Sequence, residues 1–314
     1  MEKLVMKGDI ITPMFSAGGN NRKAEFRLSE LKALMRSTFR IASHIVETKE
    51  LYKKESQLFG DAEHHASPIR LQVTETNWNV QKKPMLLHKT DTRDSMMECL
   101  EVGGTYRIVL RKILNQGESI AFYQNWLILS SILGGLGKRS RRARGCITLA
   151  TEMEPKLHLT KETLLPWIVE QLNSLNTSTA SLENLPSPYI IQNGKIRINS
   201  NSQIITIWKK HKRPVIEQIY LGKPIINIQS YLRNVDEASH KIKKFYILPQ
   251  GESFATGHVN KGKFASSLII SVTRTSDGIL IPVYTFVKAV DRNRILDEEH
   301  EERNQMISYI EEAP

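Results

Sequence analysis

The sequence predicts an α+β fold in which antiparallel sheets carry helices on one face, and three observations predict it. Patterns in the first half fall in the order strand, helix, strand, strand, helix, strand, the ferredoxin-like arrangement. The second half again mixes strand patterns with few helical ones, which predicts a second, decorated α+β unit. The 314 residues, 40% hydrophobic and 25% charged, suffice for two such units with cores of their own.

In chain order, Leu4-Val5-Met6 and Ile10-Ile11-Thr12 read as a first strand, which Thr12-Pro13-Met14-Phe15-Ser16-Ala17-Gly18-Gly19-Asn20-Asn21 breaks into a glycine-rich turn. Ser29 is placed to cap a helix whose Leu31, Leu34, Met35, Thr38, Ala42, Ile45 and Val46 recur with helical period. On another face Lys32, Arg36, Arg40 and His44 recur every four residues. This cationic ridge either solubilises the surface or flanks a nucleic-acid groove. After a polar stretch over 47–66, strand alternation returns in Ile69-Arg70-Leu71-Gln72-Val73-Thr74 and Thr105-Tyr106-Arg107-Ile108-Val109-Leu110, with a hairpin near 84–87 between them. Tyr123, Trp126, Leu127, Leu129, Ile132 and Leu133 place a helix over 120–133, and Gly145-Cys146-Ile147-Thr148-Leu149 a strand after it.

Between that helix and strand runs Gly134-Gly135-Leu136-Gly137-Lys138-Arg139-Ser140-Arg141-Arg142-Ala143-Arg144-Gly145. The glycines free the backbone to turn tightly, and the crowded cations require an anion to offset their repulsion. A nucleotide P-loop runs from strand to helix and needs a hydroxyl after Gly-Lys; here the order is helix to strand and Arg139 follows Lys138, so this is no Walker site. Loop amides and guanidinium forks are the remaining means of holding a phosphate chain. Gly134, Gly135, Gly137, Lys138, Arg139, Ser140, Arg141, Arg142 and Arg144 are therefore candidate nucleic-acid-binding residues, with Lys32, Arg36, Arg40 and His44 as a second group. The competing reading is a solvated basic turn in which the first glycine ends the helix.

Pro155 marks a boundary that divides the chain into 1–157 and 158–314. Beyond it Leu164, Leu165, Trp167, Ile168 and Leu172 predict a helix, a polar linker covers 173–187, and Asn193-Gly194 turns a hairpin. Ile204, Ile207, Trp208, Ile216 and Ile219 suggest helix interrupted at Pro214. Phe245-Tyr246-Ile247-Leu248, 267–272 and 279–284 read as strands, the last two joined through Asp277-Gly278, and the acidic end from 297 as a helix. The segment 251–258, spaced by Gly251 and Gly257, reads as an ordinary surface loop.

Lysine and arginine number 44 against 33 acidic residues, a formal charge of +11, which favours a polyanionic partner over an acidic small-molecule substrate. No stretch has the length and apolarity to span a bilayer and the N-terminus carries no leader pattern, so a cytoplasmic location is expected, with no membrane partner. Cys99 and Cys146 lack metal-ligand spacing, and Asp61-Ala62-Glu63-His64-His65 reads as a solvated loop; no cofactor or metal is implied. An enzymatic alternative would use His44, the histidine on the cationic ridge, to handle a proton near a phosphate. Others are a scaffold whose basic ridge meets an acidic protein, or contact with a membrane surface, which the missing amphipathic anchor disfavours.

With these motifs in view, the sequence resembles the RAMP superfamily of CRISPR systems, and within it the first-subunit family of the Cmr (type III-B) effector complex. The resemblance rests on the Thr12-Pro13-Met14-Phe15 turn with Gly18-Gly19, on the helix block Arg27, Ser29, Leu31, Lys32, Ala33, Leu34, Met35, Arg36, Phe39 and Arg40, and on Gly134 to Arg142. A weaker match is Phe264-Ala265-Ser266-Ser267-Leu268, where the family usually shows Ser-Pro-Leu. Ala33, Ser37, Thr38, Ala143, Cys146 and Ser267 depart from the family pattern. The resemblance implies two ferredoxin-like RAMP domains and a non-catalytic RNA-binding subunit that works beside other Cmr RAMP subunits on guide RNA and target RNA. Some RAMP relatives, by contrast, are metal-independent endoribonucleases.

Overall fold

The computed structural model describes every residue except 1, 21–22, 90–95, 116, 153–156, 180–184, 251, 260–261, 292–293, 297–300 and 314. The predicted boundary at Pro155, the start of the acidic end at 297, Gly251 and Asn21 lie outside the described residues.

Strand β1 (Lys3–Ile10) buries Met6, Gly8 and Ile10 alternately, as a pleated strand with one covered face must. It is followed by α1 (Leu28–Ala42), α2 (Thr48–Phe59), β2 (Ile69–Asn77), the hairpin strands β3 (Val80–Pro84) and β4 (Met96–Leu100), β5 (Thr105–Lys112), α3 (Ile120–Leu133) and β6 (Ile147–Thr151). The sheet order β2-β5-β1-β6, antiparallel throughout, is the ferredoxin-like order expected. Three local readings are corrected. The stretch over 47–66 contains α2, the hairpin is β3–β4 rather than 84–87, and α1 begins at Leu28 with Arg27 in the capping position, so Ser29 is not the cap.

The second half comprises α4 (Lys161–Thr179), β7 (Tyr189–Gln192), β8 (Lys195–Ile198), α5 (Ser202–Lys210), β9 (Ile216–Leu221), α6 (Ile228–Gln250), β10 (His258–Val259), β11 (Gly262–Lys263), β12 (Leu268–Arg274), β13 (Leu280–Val287), β14 (Ala289–Asp291), β15 (Arg294–Leu296) and α7 (Glu301–Glu311). Its main sheet has the order β12-β13-β9-β8-β7. The run β9-α6-β12-β13-α7 keeps ferredoxin-like connectivity, and β8 occupies the position beside β9 that a closing strand would fill. Ile216 and Ile219 sit on β9 rather than a helix, and 245–248 belong to α6 rather than a strand; α4 consumes the start of the predicted linker.

Helix α3 is buried on nearly every side from Trp126 to Leu133, the signature of a helix enclosed between layers. The core around it runs without a break from Met6, Leu31 and Ile108 to Leu164, Tyr189, Ile196, Ile219 and Val283. A second cluster packs Leu232, Val235 and Ile242 of α6 with Ile270, Tyr284 and Met306. The two sheets therefore share apolar contacts, and α3 delivers the glycine-rich loop to the seam between them.

Candidate nucleic-acid interface

The loop that follows α3 folds back on itself and onto the Thr12-Pro13 turn. Leu136 N donates to Gly145 O at 2.9 Å, Lys138 N to Phe15 O at 2.9 Å, and Gly145 N to Pro13 O at 3.0 Å. Thr12 Oγ1 accepts from Cys146 N at 2.8 Å. Two glycines make this approach possible. Gly137 has φ +78°, and a Cβ there would lie 2.6 Å from Phe15 O; at Gly145, with φ +66°, a Cβ would land on the Leu136 carbonyl. Segments more than a hundred positions apart in sequence are thereby locked into one corner.

Rather than projecting toward a phosphate chain, the loop's guanidiniums are mostly drawn inward. Arg144, 1% exposed, donates from Nη2 to Asp236 Oδ2 at 2.8 Å, while Arg139 Nη2 reaches Oδ1 of the same carboxylate at 2.6 Å. Arg142 is also buried and donates to the carbonyls of Leu268 at 2.9 Å and Ala255 at 2.6 Å. Arg141 reaches Ser266 O at 2.6 Å, and the loop backbone bridges to β12, with Ala143 N donating to Ile270 O at 2.8 Å. Burial, then repulsion from Arg139 and Arg141, brings Arg142 down to about 9; burial lowers Arg141 and Arg144 as well. Arg142 and Arg144 thus fasten the first sheet's loop to β12 and α6, and of the loop's cations only Lys138 is exposed.

The cationic ridge on α1 likewise has partners within the protein. Arg36 Nη1 donates to Glu55 Oε1 at 2.9 Å and Arg40 Nη2 to the same oxygen at 2.8 Å, both toward α2, the helix hidden in the polar stretch. Lys32 Nζ donates to Ser67 Oγ at 3.0 Å and Ile69 O at 3.3 Å, and burial lowers its pKa. His44 lies 2% exposed, edge-on to Tyr189 with ring centroids 5.1 Å apart, and neither ring nitrogen has a hydrogen-bond partner among the described residues. Burial first and the Arg213 charge second lower it to about 4. Asp61 accepts three backbone N–H groups from residues 63–65, an Asx-type turn, and no metal-compatible cluster occurs among the described residues.

What remains open is a groove of about 420 Å³ between three segments: Phe15 and Ala17 of the turn, Ala33, Leu34 and Ser37 of α1, and 135–138 with Ser140 of the loop. Lys138 stands at its edge, within 3.7 Å of Met97 Sδ on β4. Among the described residues Glu30 is the carboxylate lining it, 3.8 Å from Arg27. Gly135, Gly137, Lys138 and Ser140 therefore meet in one groove, whereas Lys32, Arg36, Arg40 and His44 line neither it nor the neighbouring cleft. That second cleft, behind the loop, is lined by His88, Lys89, His240 and Lys243 together with Arg139 and Arg142. Isolated histidines and lysines on segments 150 positions apart gave the sequence no signal that they would meet.

The RAMP superfamily model matches residues 7–148. No curated protein matches the chain. Among solved structures, Cmr1 from Pyrococcus furiosus in its apo form is 15% identical with a TM-score of 0.57, covering 99% of this chain and 96% of that one. A chain of Type III-B Cmr-beta bound to cognate target RNA is 11% identical with a TM-score of 0.58, covering 98% and 100%. By sequence over 7–148 and by ferredoxin-like architecture over nearly its whole length, the chain resembles the RAMP superfamily.

Proposed function

We propose that the protein is a non-catalytic RNA-binding subunit of a Cmr-type (type III-B) CRISPR effector complex, contacting guide or target RNA beside other RAMP subunits. The observation that carries this reading is the convergence of the turn, the exposed face of α1 and the glycine-rich loop on one groove. Lys138 supplies the exposed charge that phosphates seek, with the Ser140 hydroxyl on the same groove wall. The net charge of +11 and the likeness in fold to a chain of Cmr-beta bound to target RNA support it. Binding through backbone, without base readout, follows from the scarcity of exposed aromatic faces in the groove.

Salt titration of single-stranded RNA binding tests the reading. Lys138→Ala should weaken binding across sequences and flatten the log–log salt slope by about 0.7, one lost phosphate contact. Ser37→Glu, which adds a carboxylate to an exposed helical position in the groove, should weaken it further. An unchanged slope and affinity in both variants would reject the groove as the interface. The alternative of histidine acid–base cleavage loses its candidate, because His44 is buried, stays neutral at physiological pH and lines neither the groove nor the cleft behind the loop.

A further inference from the structure

The cleft behind the loop, about 430 Å³, has more positive charge than its own wall can neutralise. Asp236 is its carboxylate, and both oxygens are already committed: Oδ1 to Arg139, Oδ2 to Arg144 and to Leu87 N at 2.8 Å. Arg142 is buried with hydrogen bonds to carbonyl groups and, among the described residues, none to a carboxylate. Asp236 and Glu302 act on it through charge alone, and Asp236 is shared with Arg139 and Arg144, so the cations facing the open cleft outnumber the carboxylate on its wall and favour an anion from outside. Lys89 and Lys243 add two further cations at the rim.

Two buried polar atoms in the wall also lack partners among the described residues: Arg139 Nε, a donor in every accessible protonation state, and His88 Nδ1. Orphaned buried groups are rare and each requires an explanation; here both belong to residues lining the same cleft. His88 and His240 stack across it with centroids 5.1 Å apart and planes 27° from parallel. Like imidazoles so close are driven apart on protonation unless a negative group offsets them.

We infer that this cleft binds the phosphomonoester of a nucleotide, whether a strand-terminal phosphate or a free mononucleotide. A cleft of this volume accommodates a small ligand, the usual range being about 300–1,000 Å³. A terminal phosphate carries roughly −1.5 to −2 charge at neutral pH, better matched to this excess of cations than the single charge of an internal diester. The inference does not rest on the groove on the loop's other face, which shares no lining residue with the cleft.

The test uses the full chain and one RNA sequence bearing a 5′-phosphate, a 3′-phosphate or hydroxyls at both ends, with adenosine 5′-monophosphate as a separate ligand and competitor. A terminal phosphate should tighten binding about tenfold, as a charge-assisted contact does. Lys243→Ala and His240→Ala, both at exposed positions outside the Asp236 clamp, should abolish that difference. Binding of the monophosphate with the same dependence on Lys243 identifies a free nucleotide as the ligand; preference confined to strand ends identifies the RNA terminus. Equal affinity for phosphorylated and hydroxyl-ended RNA, with no binding of the monophosphate, would overturn the inference. Ser37→Glu separates the two sites: it should lower affinity for every RNA while leaving the ratio between phosphorylated and unphosphorylated ends intact.

Discussion

His44 changes meaning most between sequence and structure. In the unfolded chain its imidazole takes up a proton below the ordinary value of 6.5; in the folded protein it does so only near about 4. Stability conferred by the neutral, buried ring is therefore intact above pH 6.5 and is lost as pH falls toward 4, by about 3 kcal/mol at full loss. His211, 5.7 Å away and also lowered chiefly by burial, acts in the same direction. Urea denaturation at pH 7 and pH 5 should show a marked acid destabilisation that His44→Phe reduces; equal acid losses in both proteins would contradict this. The four-residue spacing of Lys32, Arg36, Arg40 and His44 was plain in the sequence, but its direction was not. Spacing places residues on one helix face without stating whether that face meets solvent or another helix.

Among elements, those whose pattern is set by continuous apolar packing were legible: β1, α3, β5, β12 and β13 lie close to where the sequence places them. Those missed carry polar groups at buried positions or patterns shared by helix and strand. In α2, Glu55 and Ser56 are buried beside Leu51, Leu58 and Phe59, which dilutes the apolar stripe. On β9 the isoleucines at 216 and 219 have helical spacing because the buried Gln218 breaks the alternation. Helix α6 buries Tyr231, Leu232, Val235, Ala238 and Ile242 in helical register, but its aromatic and aliphatic tail at 245–248 resembles a strand. From the middle of α6 comes Asp236, fully buried, which holds the loop through Arg139 and Arg144. Asp236→Asn leaves the buried Arg144 without its counter-charge and should cost about 3–5 kcal/mol, read as a lowered denaturation midpoint. An unchanged midpoint would show that the clamp contributes nothing.

At the scale of the molecule, the glycine-rich loop does two jobs that its sequence presents as one. Its arginines seal the first sheet to the second half, while Gly135, Gly137, Lys138 and Ser140 remain at a groove shared with the Thr12-Pro13 turn and α1. The motif itself was visible in the sequence; the division of labour was not, because Asp236 and the carbonyls of 255–268 that receive the arginines lie about a hundred residues further on. The measurement that bears most directly on the central claim is photo-crosslinking of bound single-stranded RNA followed by peptide mapping of the full chain. The account predicts crosslinks in 12–17, 33–37 and 134–140. Crosslinks confined to other surfaces, with those three segments untouched, would contradict it.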